Sequence, residues 1–121
     1  MLNSRQQYGR QSEDLAARFL AKRGYKIVDR NYRTPVGEID IIAKDRKTMV
    51  FVEVKARRTN RFGGAPYSIT ADKKRKITKT AQWYLKMTGQ GGAKARFDVV
   101  MISNDDEIEL VKNAFDASLE Y

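Results

Sequence analysis

Four charged side chains stand at alternate positions in two short stretches. Glu38 and Asp40 lie in Gly37-Glu38-Ile39-Asp40-Ile41-Ile42-Ala43, and Glu53 and Lys55 in Met49-Val50-Phe51-Val52-Glu53-Val54-Lys55. Both stretches are rich in β-branched residues and alternate in polarity, as strands do, and a short polar segment joins them. Period two puts Glu38 and Asp40 on one face of the first strand and Ile39, Ile41 and Ala43 on the other. In the second strand Glu53 and Lys55 share a face and Val50, Val52 and Val54 point oppositely. A hairpin turn over Asp45 to Thr48 sets Lys44 against Met49, and therefore Asp40 against Glu53 and Glu38 against Lys55. Directly opposed residues have Cβ atoms about 4.5–5.5 Å apart, so two carboxylates there repel unless a cation or proton stands between them. A pair serving stability alone would oppose a lysine to an aspartate. The competing reading is an edge hairpin whose solvated charges protect it from mispairing, but apolar flanking faces favour a site.

The chemistry open to such a site is narrow. The chain has no cysteine and no histidine, which excludes disulfides, thiolate zinc sites, metal–imidazole chemistry and Ser-His catalysis. Hard carboxylate oxygens select Mg²⁺ or Mn²⁺, which keep several waters and bind through one or two carboxylates plus substrate phosphate. Such an ion polarises a phosphodiester and lowers the pKa of a bound water. Lys55, on the same face, is placed to orient that water or to stabilise the charge that develops.

The remaining elements must position these groups. Residues 8–22 read as an amphipathic helix, with Tyr8, Ser12, Leu15, Ala16, Phe19 and Leu20 on one stripe and Gly24 as its stop. Glu13 borders that stripe and can point into a neighbouring site, whereas Asp14 complements the helix dipole near its start. Residues 25–32 form a strand, and the Arg33-Thr34-Pro35-Val36-Gly37 turn leads into the hairpin, giving an antiparallel meander of three strands. Thr70 caps a second helix running to about Thr88, with Ile77, Ala81, Tyr84 and Leu85 as its apolar stripe and Trp83 beside it in the core. Residues 96–103 are apolar on both faces and fit an interior strand parallel to the Met49–Lys55 strand, reached by a crossover. Asp98 within it takes a buried hydrogen-bonding role. A short strand over residues 108–111 and a terminal helical turn or tail over residues 114–121 complete a single domain of 121 residues.

Charge points to the partner. The net charge is +9, divided into +15 through residue 97 and −6 from Asp98 onward. A polycationic body suits a polyanion, first of all nucleic acid. Arg57, Arg58 and Arg61 share a glycine-rich loop with Phe62 and Tyr67, a composition able to hold phosphates and stack on bases. Lys73, Lys74, Arg75 and Lys76 crowd the start of the second helix, where they oppose its macrodipole, so something other than helix stability accounts for them, phosphate contact or simply a solvated face. No apolar run is long enough to span a membrane and the first residues lack the apolar core of a signal peptide, so a cytoplasmic protein with no membrane partner is expected.

Gly37-Glu38-Ile39-Asp40 followed by Glu53-Val54-Lys55 resembles the Asp … (Asp/Glu)-x-Lys motif of the PD-(D/E)xK nuclease superfamily, and the order of elements is similar to its restriction-endonuclease-like core. More closely, the chain resembles the YraN family across Tyr8-Gly9, Ser12-Glu13, Gly24-Tyr25, Arg30-Asn31-Tyr32-Arg33, the central stretch, Phe62-Gly63 and Arg96-Phe97-Asp98-Val99-Val100. The resemblance implies a Mg²⁺- or Mn²⁺-dependent endodeoxyribonuclease, similar to archaeal Holliday-junction resolvases, acting on branched or recombining DNA. It implies that Asp40, Glu53 and the Val54 backbone carbonyl hold the metal, with Glu13 and Glu38 as further candidates, and that Lys55 is the catalytic lysine. Val36-Gly37 stands where the superfamily name has Pro-Asp. The alternatives are a nucleic-acid-binding module that keeps the fold without cutting, and an interaction protein that uses its charged surface on another partner. A homodimer would suit symmetric junctions, which need two cuts, with Phe62 and Tyr67 as interface candidates.

Overall fold

A computed structural model describes residues 3–56, 69–103 and 107–118. The order is α1 (Ser4–Lys22), β1 (Lys26–Thr34), β2 (Gly37–Asp45), β3 (Thr48–Ala56), α2 (Ala71–Met87), β4 (Ala95–Ile102) and β5 (Ile108–Phe115). The five strands form one sheet in sequential order. β1, β2 and β3 are an antiparallel meander, β4 runs parallel to β3, and β5 closes the far edge antiparallel to β4. This is the order of elements anticipated from the apolar patterns, and the restriction-endonuclease-like core that the motif resemblance implies.

Each helix covers one face. Ala16 and Leu20 of α1 pack with Ile41, Ala43, Val50, Val52, Val100 and Ile102. On the opposite face Ile77, Ala81 and Tyr84 of α2 pack with Ile39, Ile42, Met49, Phe51, Val99 and Met101. β3 and β4 contribute to both clusters, which is why their sequences are apolar in nearly every position.

Several expectations are corrected. α1 begins at Ser4, a turn before Tyr8, because Asn3 and Gln6 form a capping box: the Asn3 carboxamide accepts from Gln6 N–H at 2.8 Å and Gln6 accepts from Asn3 N–H at 3.0 Å. Glu13 and Asp14 therefore sit mid-helix and cannot serve its dipole; Asp14 instead pairs with Arg30 of β1 at 2.7 Å. β5 extends to Phe115, since Phe115 pairs with Phe97 and stacks on it with ring centroids 4.9 Å apart. Residues 114 and 115 thus belong to the sheet rather than to a tail. Trp83, expected in the core, is 49% exposed, because it lies just off the α2 stripe that Ile77, Ala81 and Tyr84 define.

Candidate functional site

Two features bring the charged residues together. The first is the hairpin, whose Lys44–Met49 pairing is as the spacing predicts. Regular pairing runs from Asp45–Thr48 to Ile41–Val52, which leaves Asp40 and Glu53 as the next opposed residues. There the Asp40 carboxylate takes over the role of the backbone, accepting from Val54 N–H at 2.8 Å. Alternation also breaks at Asp40, for Ile39 joins the α2-side cluster although Ile41 lies on the α1 side. On β1, Asn31 adopts a left-handed φ of 53° between Arg30 and Tyr32, which pair with Ile41 and Ile39. The sheet is thus distorted on both strands where Asp40 enters.

The second feature is the close approach of α2 to the start of β2. A Cβ on Gly37 would stand 3.1 Å from Thr80 Oγ1 and 3.3 Å from Lys76 Cβ, so any larger residue there would require the helix side chains to give by a few tenths of an ångström. Thr70 caps α2 by accepting from Lys73 N–H at 3.1 Å, and the first turn projects Lys73 over the sheet. Its ammonium reaches Glu53 Oε1 at 2.7 Å, and the Glu53 side chain is only 7% exposed.

The electrostatics follow from this crowding. Asp40 is pushed up to about 7, first by burial and then by the Glu53 carboxylate, with the Val54 N–H only partly offsetting them. Glu13 faces the same region from α1 and is also raised, chiefly by burial, against the lowering effect of Arg30 4.0 Å away. For Lys73 burial acts to lower the pKa, but the Glu53 hydrogen bond and the charges of Glu53, Asp40 and Glu38 outweigh it and the net shift is upward. Glu13 and Asn31 also line a cavity of about 340 Å³ together with Gln6, Gly9, Arg10 and Arg33.

The candidates thus divide. Asp40, Glu53 and Val54 come together, Glu13 faces them, and Lys55 lies on the Glu53 face, half-buried and without an ion pair among the described residues. Glu38 does not oppose Lys55, because the regular ladder ends before it; it pairs with Arg33 of β1 at 2.9 Å. The lysine-rich start of α2 is more occupied than its composition implied. Lys73 is in the carboxylate cluster, Arg75 and Lys76 both pair with Asp72 at 3.0 Å, and Lys74 lies 5.7 Å from the Phe115 ring centre. Arg57, Arg58, Arg61, Phe62 and Tyr67 lie outside the described residues. Sequence reasoning missed Lys73 as a member of the cluster, and Asn31 and Arg30 beside it. Nothing in the spacing of Lys73 marks it among four consecutive cations.

A divalent ion fits this donor set in a restricted way. Two hard carboxylates repelling across a strand pair are suited to a cation, and the Lys73 ammonium already takes one of them. Among the described residues no group of three or more acidic side chains is close enough to hold a metal. The fit is therefore to an ion bound by Asp40 and Glu53 that keeps much of its water, as Mg²⁺ and Mn²⁺ commonly do.

The order and pairing of its elements make this a restriction-endonuclease-like α/β domain. The chain belongs to the uncharacterised protein family UPF0102, whose model matches residues 12–102, in keeping with the YraN resemblance. It is 68% identical over 120 residues to a UPF0102 protein of Desulfosudis oleivorans, covering 98% of each chain. A second, from Desulforapulum autotrophicum, is 46% identical over 118 residues, covering 95% of this chain and 98% of that one. A third, from Dechloromonas aromatica, is 48% identical over 109 residues, covering 90% and 88% respectively. Among the described residues no helix is long and apolar enough to cross a membrane.

Proposed function

We propose that this protein is a Mg²⁺- or Mn²⁺-dependent endodeoxyribonuclease, acting on branched or recombining DNA. The observation that carries the reading is the meeting of Asp40 and Glu53 where β2–β3 pairing ends, with Asp40 raised by burial and by its neighbour. Like charges so placed cost stability, and a strand pair that only had to fold would not retain them. Asp40, Glu53 and the Val54 carbonyl would hold the ion, with Glu13 as a further carboxylate facing them. When bound, the ion supplies Lewis-acid activation of the phosphodiester and of a water nucleophile. Lys55, on the Glu53 face, would be placed to orient a water nucleophile or to offset developing charge. Arg10 and Arg33, lining the cavity beside Glu13, offer phosphate contacts.

Cutting should need Mg²⁺ or Mn²⁺, favour four-way junction or flap DNA over linear duplex, and fall about a hundredfold or more in Asp40→Asn, Glu53→Gln and Lys55→Met. Cutting that persists in Asp40→Asn would sink the reading. One observation favours the second reading, a nucleic-acid-binding module that does not cut: Lys73 already neutralises Glu53 at 2.7 Å. Salt-sensitive binding of every DNA form by the intact protein, with no cutting in either metal, would select it.

A further inference from the structure

A large cleft among the described residues lies away from the carboxylate pair. It lies at the other end of the hairpin, has a volume of about 800 Å³, and is lined by six cations, Arg23, Arg46, Lys47, Lys94, Arg96 and Lys112, against one carboxylate, Asp45. Asp45 is five residues along β2 from Asp40, which at roughly 3.4 Å per residue separates the two places by about 17 Å.

The nearby acids are already spent. Arg96 donates to Asp45 Oδ2 at 2.8 Å, to Asp98 Oδ1 at 3.0 Å and to the Tyr25 hydroxyl at 2.7 Å. Arg46, Lys47 and Lys94 have neither an ion pair nor a side-chain hydrogen bond among the described residues. These cations are carried on fixed elements. Arg23 is the C-cap of α1 and lies 4.4 Å from the centre of the Phe19 ring. Lys94 is tied to β3 through the Met49 N–H, which donates to its carbonyl at 2.8 Å. Arg46 occupies the first central position of the β2–β3 turn with a φ of 58°, where glycine or asparagine would be unstrained. A turn that served only to reverse the chain would gain nothing from an arginine there.

Small-molecule sites are mostly apolar with a few placed polar groups, whereas this cleft is lined by cations, of which Arg96 and Lys112 share Asp45 while Arg46, Lys47 and Lys94 have no ion pair among the described residues. Distributed positive charge matches the repeated phosphates of a nucleic-acid backbone. We propose that the cleft is a second phosphate-binding site, holding the sugar–phosphate backbone of a nucleic acid away from the carboxylate pair. The inference rests on the nucleic-acid part of the reading above and not on cutting.

The test is fluorescence anisotropy of a labelled DNA duplex in EDTA over a salt series, with Arg46→Gly/Lys47→Ala set beside a charge-matched control, Arg18→Ala/Lys86→Ala. Glycine suits the φ at 46, so the cleft variant should fold, and circular dichroism checks that it does. The cleft variant should lose about tenfold or more in affinity at low salt, and its plot of log K against log salt should flatten by about 2, because each phosphate contact contributes roughly 0.9 to the slope. The control should change less than about twofold. An unchanged affinity and slope in the cleft variant would overturn the inference, as would an equal loss in the control. Saturable binding of inorganic pyrophosphate that the cleft variant loses while keeping duplex affinity would also overturn it, and would reassign the cleft to a small phosphorylated ligand. If the intact protein binds no duplex at low salt, this inference falls together with the nucleic-acid reading. Binding without cutting removes the nuclease reading alone.

Discussion

Two acidic residues of the sheet, Asp98 and Asp40, are both withdrawn from solvent and are treated in opposite ways. Asp98 is fully buried in β4, yet every demand of its carboxylate is met: Tyr25 donates its hydroxyl at 3.0 Å, Arg96 donates its Nε at 3.0 Å, and the Asn113 N–H donates at 2.9 Å. Arg96 is shared in turn with Asp45. Asp40 has one hydrogen-bond donor among the described residues, the Val54 N–H, the Glu53 carboxylate as the strongest charge acting on it, and a raised pKa. The Asp98 network is closed, with donors matched to acceptors on β2, β4, β5 and the residue just before β1, and therefore holds the fold. The Asp40 cluster is left short of positive charge, and that deficit is what a bound cation would supply. Burial alone does not separate the two; the accounting of partners does.

The largest effect that would break this contrast is on stability. Asp98→Ala should cost about 3–5 kcal/mol, because it strands the Arg96 charge and the Tyr25 hydroxyl, whereas Asp40→Asn should stay within about 1 kcal/mol of the intact protein since it also removes a repulsion. Urea melts of both variants decide it, and equal losses would mean that Asp40 is as structural as Asp98.

A pH dependence sharpens the comparison further. Asp40 is raised in the folded protein from the ordinary aspartate value of 3.8 to about 7, so between these values the folded state holds the proton that the unfolded state releases. Its contribution to stability is therefore fully present below about 4 and is lost as pH rises through about 7. Asp45, by contrast, is lowered by its hydrogen bond to Arg96, so its contribution is present above the ordinary value and lost as pH falls through the depressed one. Asp40→Asn should remove the decline on the neutral side and leave the acid-side loss in place, and saturating Mn²⁺ should also remove that decline in the intact protein. Melting temperatures across pH, with and without the metal, measure both.

The smallest expected effect concerns how the cluster is held. Thr70→Ala removes the cap whose hydroxyl accepts from Lys73 N–H and should cost about 1 kcal/mol. If the first turn of α2 is what seats Lys73 on Glu53, this variant should also weaken the upward shift of the Lys73 ammonium, which NMR titration would detect.

Much of this was legible in the chain. The β2–β3 hairpin with its Lys44–Met49 register, the cap at Thr70 and the doubly apolar β4 all depend on local periodicity, and each is found as the spacing predicts. The alternation expected through Asp40, by contrast, breaks there, Ile39 and Ile41 lying on opposite faces. What was misread depended on partners distant in sequence or on a short capping exchange: the α1 start set by Asn3 and Gln6, Glu38 drawn to Arg33, Asp14 drawn to Arg30, and Trp83 left outside the core. Four consecutive cations at the start of α2 look alike in one dimension. Only the approach of that helix to Gly37 singles out Lys73 as the partner of Glu53.

The sequence by itself determined the class of fold, the pair of acids and the polycationic character, because hydrophobic period and net charge are properties of the chain. Tertiary structure alone decided which charges are neutralised. It closed Arg96 between Asp45 and Asp98, seated Lys73 on Glu53, and gathered Arg23, Arg46, Lys47, Lys94 and Lys112 from α1, the hairpin turn, the segment before β4 and β5 into one cleft. Electrostatic energies fall off over a few ångströms, and which residues come that close is set by packing between elements rather than by their order along the chain.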